Sequence, residues 1–96
     1  MIQSFADDTT RDLYNGVSSR DARRVAQQLW PVVRRKLDYL DVAWQLADLS
    51  VPPGNRLEAL RGDQAGRYSI RVNDQFRITF RFADRDAHEV RCEDYH

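Results

Sequence analysis

Residues 68–82, which read YSIRVNDQFRITFRF, decide the fold class of this 96-residue chain. Apolar and polar residues alternate on both sides of Asn73-Asp74, a pair that is typical of tight turns. The apolar set comprises Tyr68, Ile70, Val72, Phe76, Ile78, Phe80 and Phe82. A period of two indicates half-buried strands, and so short a turn predicts that the two strands are antiparallel neighbours.

The strand pattern continues in both directions from this hairpin. After a second predicted turn at residues 83–86, His88 and Cys92 take the apolar phase of a third strand, which predicts structural roles for both. Toward the N-terminus, Arg56–Arg61 is a short strand candidate that ends at Gly62-Asp63. The C-terminal half is therefore expected to be an antiparallel meander.

The N-terminal half has helical spacing instead. Acidic and hydroxyl side chains at residues 7–10 predict the start of a helix over Thr9–Tyr14, and Asn15-Gly16 predicts its end. A second apolar face, spaced by three and four residues, comprises Leu29, Val33, Leu37, Leu40 and Trp44. This pattern predicts core positions for Trp44 and for Trp30.

Local signals add further expectations for the same half. Met1–Phe5 is a candidate strand. Pro31 either kinks a long helix that Asp21 caps, or lies in the first turn of a helix that begins later. Asp41 is a candidate cap for a further short helix that ends at Ala47.

Length and composition set the class of the protein. Helices followed by a sheet predict an α+β fold in which N-terminal helices pack on the apolar face of the sheet, as one domain over residues 1–96. The single cysteine, Cys92, excludes an internal disulfide. Because no long apolar run and no signal-peptide layout occur, we expect a soluble cytoplasmic protein without a membrane partner.

The net charge is zero, because Lys plus Arg and Asp plus Glu each number 15. A neutral total argues against a nucleic-acid binder, which is usually basic. The distribution changes that inference: Arg56–Arg81 holds six arginines against three acids, whereas Phe82–His96 holds two against five. The chain thus has a basic middle and an acidic end.

Strand alternation also sorts arginines onto one face of the predicted sheet. These arginines are Arg67, Arg71, Arg77 and Arg81. Guanidinium forks suit phosphate oxygens, and Tyr68 and Tyr95 are close by in the sequence, so one interpretation is an RNA-phosphate surface. The alternative is that Glu89 and Glu93 of the third strand pair with the arginines across the sheet.

The chain ends in Asp94-Tyr95-His96, which supplies a carboxylate, a phenol and an imidazole directly after a strand. Such a set can transfer protons, although a frayed tail is the simpler interpretation. No metal-ligand spacing, P-loop, dinucleotide fingerprint or nucleophile elbow occurs, so no cofactor is expected.

The sequence resembles the HigB/GraT toxins of the RelE/ParE superfamily over nearly its whole length, most weakly at residues 17–31. The segments that carry the resemblance are Met1–Phe5, Leu13–Gly16, Pro52–Leu60 with Gly62-Asp63, Tyr68–Asn73, Phe76–Ile78 and Asp94–His96. The resemblance implies a RelE-like fold with a curved antiparallel sheet. It also implies a type II toxin that cleaves mRNA in the ribosomal A site without a metal, and a HigA-type helix-turn-helix antitoxin as partner. We expect the free toxin to be a monomer.

The resemblance assigns roles to several residues. Arg77 matches an arginine that stabilises the developing phosphate charge, and Arg61 matches a basic position at the end of the preceding strand. Asp94, Tyr95 and His96 match the terminal acid, phenol and imidazole. Some relatives carry a histidine in the segment where this chain has Glu58, so the general base is either Glu58 or His96. The RNA backbone would be positioned by Arg56, Arg67 and Arg71.

Two other functions remain open at this point. A ParE-like toxin on the same scaffold would inhibit gyrase by binding alone, without the terminal Asp-Tyr-His set. An inactive RNA- or protein-binding module would keep the arginines without any chemistry.

Overall fold

The computed structural model describes residues 1–94, which form two α-helices and one four-stranded sheet joined by short 3-10 turns. The elements are α1 (Asp8–Asn15), α2 (Trp30–Val42), β1 (Glu58–Ala59), β2 (Tyr68–Arg71), β3 (Phe76–Ala83) and β4 (Asp86–Asp94). The strands lie in the order β1-β2-β3-β4, and each neighbouring pair is antiparallel. The predicted α+β class and the predicted meander are both confirmed.

Helix α1 begins and ends where the sequence signals placed it. The Asp7 carboxylate accepts the backbone N–H of Thr10 at 2.9 Å, which caps the first turn. At the other end Gly16 has a φ of 73°, and its N–H bonds to the carbonyl oxygens of Asp12 and Leu13. Glycine is suited to this left-handed position because it has no Cβ.

The first residue of α2 decides between the two interpretations of Pro31. The helix begins at Trp30, so Pro31 lies in its first turn, where a missing N–H costs nothing. Residues 22–24 and 27–29 form separate 3-10 turns, and the side chain of Asp21 makes no capping bond to the first of them. The kinked long helix is therefore excluded.

The C-terminal end of α2 differs from the prediction. Asp41 lies inside α2 and its carboxylate accepts the N–H of Ile2 at 2.9 Å, so the predicted separate helix that it would cap is wrong. The helix ends at Val42, and Trp44 is 64% exposed rather than buried, whereas Ala43 beside it belongs to the core. The carboxylate of Asp48 accepts the Trp44 N–H at 3.0 Å and holds this turn.

The N-terminal segment runs beside β4 without forming a regular strand. Ile2 and Phe5 make isolated parallel bridges to Ala87 and Val90. Since only single residues pair, the strand predicted over Met1–Phe5 is reduced to these two bridges.

The core lies between the helices and one face of the sheet. Its buried members from the helices include Leu13, Val33, Leu37 and Leu40, and those from the strands include Ile70, Ile78, Phe80, Val90 and Cys92. Burial of these apolar side chains is the main force that holds the helical layer on the sheet. Within the described residues, no helix is long and apolar enough to cross a membrane.

Strand β4 contains an irregularity that the alternation did not reveal. The register with β3 shifts between Thr79 and Arg81, and Glu89 has a φ of 52°. This β-bulge changes the phase of the strand, so Ala87 and Val90 are both buried while His88 pairs with Arg81. The predicted core phase of His88 is therefore wrong.

Candidate active site

The face of the sheet opposite the helices carries the arginines that alternation predicted. We call it the arginine face, and its defining members are Arg67, Arg71, Arg77 and Arg81. Arg71 and Arg77 are directly paired across β2 and β3, and Ser69 and Thr79 are the next pair on the same face. Both hydroxyl residues are fully buried beneath the guanidinium groups. The face thus has cations on its surface and hydroxyl groups below them.

Carboxylates on the arginine face already pair with some of these cations. Glu89 Oε2 lies 3.0 Å from Arg81 Nε and 3.5 Å from Arg67 Nη1. Arg71 pairs with Asp74 in the β2–β3 turn. The expected cross-strand pairing is therefore present for Glu89. A phosphate that binds these arginines must displace the carboxylates or share the guanidinium donors with them.

Arg77 is held between a hydroxyl and a carboxylate. Its Nη1 donates to Ser69 Oγ at 3.0 Å, and its Nη2 lies 3.5 Å from Glu58 Oε1. The Arg77 side chain is 16% exposed, whereas that of Glu58 is 51% exposed. These two contacts fix the orientation of the planar guanidinium fork, a group whose geometry suits recognition of a tetrahedral oxyanion.

Glu58 of the edge strand β1 and Arg61, two residues after the end of that strand, line one cavity. Residues 58–61 line a space of about 670 Å³, and Glu58 is paired with Ser69 of β2. Glu58 thus contacts both this cavity and Arg77, whereas Arg61 follows Leu60, whose N–H donates to the Arg67 carbonyl just before β2. Arg56 is exposed in the preceding loop, where it has a φ of 46°.

Glu93 also lies on the arginine face, although the sequence patterns predicted no catalytic role for it. It is paired with Arg77 across β3 and β4, and its side chain is 15% exposed. Its carboxylate accepts the hydroxyl of Thr79, and Arg91 lies 3.4 Å away. The alternation that grouped the arginines could have identified Glu93 as well. Residues directly opposite each other on neighbouring strands share a face, so Glu93 lies on the face of Arg77.

Asp94 faces the other way. It is paired with Phe76, and Glu93 before it with Arg77, so the two carboxylates lie on opposite sides of β4. Asp94 Oδ2 accepts from Gln75 Nε2 at 3.1 Å, and with Asp7 it lines a separate cavity of about 210 Å³.

The described residues therefore do not bring Asp94 beside the Glu58–Arg77 pair. Tyr95 and His96 lie outside the described residues.

The pKa values of two residues of β4, Glu89 and Cys92, are shifted in opposite directions. The hydrogen bond and charge of Arg81, helped by Arg67, lower the pKa of Glu89, so this carboxylate is ionised at neutral pH. Burial, with the charges of Asp7 and Glu93, raises the pKa of Cys92 to about 12. Cys92 is therefore an unreactive core thiol, as expected, and takes no part in nucleophilic chemistry. Residues 1–94 contain no group of three potential metal ligands.

Comparison with known proteins adds sequence relatives. Residues 3–96 match a family described as the RelE-like toxin of the type II toxin–antitoxin system HigB. The chain is 37% identical to Toxin HigB-1 of Vibrio cholerae over 84 residues, which cover 88% of this chain and 86% of that protein. It is 32% identical to Endoribonuclease HigB of Proteus vulgaris, and that alignment covers 100% of both chains.

Solved structures with the same fold are more distant in sequence. The YoeB–YefM complex from Staphylococcus aureus includes a chain that matches with a TM-score of 0.62 at 16% identity, covering 100% of this chain and 98% of that one. A mutant of YafQ from E. coli matches with a TM-score of 0.56 at 15% identity, covering 98% of this chain and 93% of that one. These similarities support the fold.

Proposed function

The chain belongs to the RelE-like HigB toxins of type II toxin–antitoxin systems, and from this premise we propose that it is an mRNA endoribonuclease that acts on the ribosome. A full-length relative carries the name Endoribonuclease HigB, which supports the nuclease activity. The observation that carries the proposal here is Arg77, fixed between Ser69 and Glu58 at one end of the arginine face.

The reaction that fits this arrangement uses the RNA itself as nucleophile. A base takes the proton from a ribose 2′-hydroxyl, and the 2′-oxygen attacks the adjacent phosphorus. The bond from phosphorus to the 5′-oxygen breaks, and an acid gives that oxygen a proton. The products are a 2′,3′-cyclic phosphate and a 5′-hydroxyl, and no metal is required for any of these steps.

The side chains of the arginine face supply part of this chemistry. Arg77 would stabilise the charge that develops on the phosphorane, with Arg61 as a second cation at the neighbouring cavity. Glu58 is one candidate base, and its contact with Arg77 at 3.5 Å supports this role. Its half-exposed carboxylate could reach a ribose hydroxyl.

His96 remains the alternative base. The resemblance implies that Asp94, Tyr95 and His96 are the terminal acidic, phenolic and imidazole positions, but Asp94 lies on the side of β4 opposite to the arginine face.

The remaining arginines would hold the RNA backbone. Arg67 and Arg71 lie on the same face as Arg77, and Arg56 lies on the loop that leads into β1. This arrangement supports binding by phosphate contacts, which carry little sequence information by themselves.

The partners of the proposed enzyme are an antitoxin and the ribosome. Membership of a type II system implies an antitoxin, and a HigA-type helix-turn-helix protein is the form we propose for it. Since its substrate would be translated mRNA, we place the protein in the cytoplasm.

Substitution of Arg77 tests the proposal. Wild-type protein is incubated with translating ribosomes and the ends of the mRNA are mapped, in parallel with Arg77→Ala and Arg77→Lys. We expect Arg77→Ala to lose roughly 100-fold or more of the cleavage rate, the typical effect of removing one oxyanion donor. Arg77→Lys is expected to recover little, because a point charge cannot replace the fork.

The controls separate the nuclease from the other two functions. Circular dichroism melting must show that the Arg77 variants fold, and naked mRNA without ribosomes must stay intact. A folded Arg77→Ala protein that cleaves at the wild-type rate would contradict the proposal. Gyrase inhibition without mRNA cleavage would instead establish the ParE-like function, and normal growth on overexpression would favour the inactive binding module.

A further inference from the structure

We propose that Arg67 and Arg81 form a second phosphate site on the arginine face, which Glu89 occupies until an RNA backbone phosphate displaces its carboxylate. The identity of the ligand rests on the proposed function. The site itself rests on the geometry around the β-bulge in β4.

Two guanidinium groups converge on a single oxygen at this site. Glu89 Oε2 lies 3.0 Å from Arg81 Nε and 3.5 Å from Arg67 Nη1. Carboxylate and phosphate oxygens compete for the same guanidinium donors. A point where two such donors meet an internal anion is therefore a ready-made site for an external one.

Arg67 keeps its position when the carboxylate leaves. Its Nη2 also donates to the backbone carbonyl of Glu89 at 2.8 Å and to Thr79 Oγ1 at 3.0 Å. Neither of these acceptors belongs to the carboxylate of Glu89. The Arg67 side chain is only 16% exposed, whereas that of Glu89 is 54% exposed and can move into solvent. Exchange thus requires motion of one surface side chain.

The backbone conformation of Glu89 supports a functional origin of this contact. Its φ of 52° is a left-handed conformation that is unfavourable for a residue with a side chain. The conformation is held from the other side, because the Glu89 N–H donates to Ser4 Oγ at 2.9 Å and the Val90 N–H donates to the Ser4 carbonyl at 3.1 Å. Bulges and strained residues of this kind cluster at functional sites.

The second site is separate from the proposed catalytic one. Arg77 and Arg81 are four residues apart on β3, which corresponds to roughly 13 Å at a strand rise of ~3.3 Å per residue. One ribose separates neighbouring phosphates of an RNA strand, so the two sites would hold phosphates that are not adjacent. A strand bound at both would be aligned along β3.

Neutralising Glu89 should therefore strengthen RNA binding instead of weakening it. The probe is a labelled single-stranded RNA octamer with 2′-O-methyl riboses, which no 2′-hydroxyl attack can cleave, so binding is measured apart from catalysis. We expect Glu89→Gln to bind it about fivefold more tightly at low salt, the upper range for releasing an exposed ion pair.

Matched variants identify the cause of any gain. Asp38→Asn makes the same change of net charge on α2, in the layer on the opposite face of the sheet, and should leave binding unchanged. Arg81→Ala combined with Glu89→Gln should abolish the gain. If Glu89→Gln fails to fold, Glu89→Asn removes the same charge with a residue that tolerates a positive φ.

The source of the phosphate is distinguished with ribosomes. A gain on mRNA-programmed ribosomes that is absent on empty ones indicates an mRNA phosphate, and a gain on both indicates a ribosomal RNA phosphate. Either result supports the site. Binding by folded Glu89→Gln that equals Asp38→Asn on the octamer and on both kinds of ribosome would overturn it.

This outcome is independent of the proposed catalysis. If Glu89→Gln binds more tightly while Arg77→Ala still cleaves mRNA, the phosphate site stands and the proposed catalytic role of Arg77 falls. If Glu89→Gln binds no more tightly while Arg77→Ala loses cleavage, the phosphate site is refuted and the proposed nuclease stands.

Discussion

At the scale of single residues, the orientation of Arg77 depends on a serine that has no chemistry of its own. Ser69 is fully buried, and its Oγ accepts from Arg77 Nη1 at 3.0 Å. The bond fixes one edge of the guanidinium, while Glu58 contacts another at 3.5 Å. Loss of the bond would leave the charge in place and remove part of its alignment.

We therefore expect Ser69→Ala to reduce ribosome-dependent cleavage about tenfold, the rate equivalent of one hydrogen bond to a charged group. The loss should be smaller than that caused by Arg77→Ala, which removes the cation. Cleavage assays under single-turnover conditions measure the difference.

Ser50→Ala is the matched control, because Ser50 is exposed and bonds only to the Ala47 carbonyl among the contacts that are resolved. Equal activity of Ser69→Ala and Ser50→Ala would show that Arg77 needs no alignment by Ser69.

The shifted pKa values of Glu89 and Cys92 give these two residues different charges at neutral pH. Glu89 is held ionised by Arg81 and Arg67, whereas Cys92 is held protonated by burial, which raises its pKa to about 12. Glu89 contributes a negative charge to the arginine face, whereas the buried, protonated thiol of Cys92 contributes none.

At the scale of secondary-structure elements, the ends of α1 and α2 depend on different residue types. Gly16 ends α1 in a left-handed conformation with a φ of 73°. Pro31 lies in the first turn of α2, where its fixed backbone angle is suited to the helix. At both positions the backbone conformation, and not a side-chain contact, favours the residue type.

Gly16→Ala should consequently destabilise the protein by about 1 kcal/mol, because the left-handed conformation is unfavourable for alanine. Space is not the cause, since an added Cβ would lie 3.8 Å from the nearest atom of Arg34, an ordinary contact. Urea unfolding measures the change in the free energy of unfolding.

Gly54→Ala provides the comparison for this prediction. Gly54 has no positive φ, and no atom lies within 4 Å of an added Cβ, so its substitution should be close to neutral. Equal stabilities of the two variants would remove the backbone explanation.

At the scale of the whole molecule, the charge is balanced but unevenly placed. Fifteen basic and fifteen acidic residues cancel, although the arginine face gathers cations on one side of the sheet. Long-range steering depends on the total field, whereas contact with phosphate depends on the local one. A neutral toxin should thus bind RNA locally without strong attraction from a distance.

We expect the affinity of the protein for ribosomes to fall less steeply with salt than that of a strongly basic toxin of the same fold. Binding is measured by co-sedimentation with ribosomes across a series of salt concentrations. A slope as steep as that of the basic toxin would contradict this expectation.

Much of the fold followed from local patterns. The alternation in residues 68–82 predicted β2 and β3, and the capping residues predicted α1. These elements were predictable because period, turn chemistry and caps are properties of neighbouring residues. The exposure of Trp44 could not be predicted from such patterns, since it depends on how the chain packs after α2 ends at Val42.

The candidate site divides in the same way. Sequence alone determined that the arginines would share one face, because side chains two residues apart on a strand point the same way. Only the tertiary structure decided which carboxylate meets which cation: Glu58 with Arg77, and Glu89 with Arg67 and Arg81. Such contacts depend on strand register and on the bulge at Glu89, which are set by pairing between distant segments.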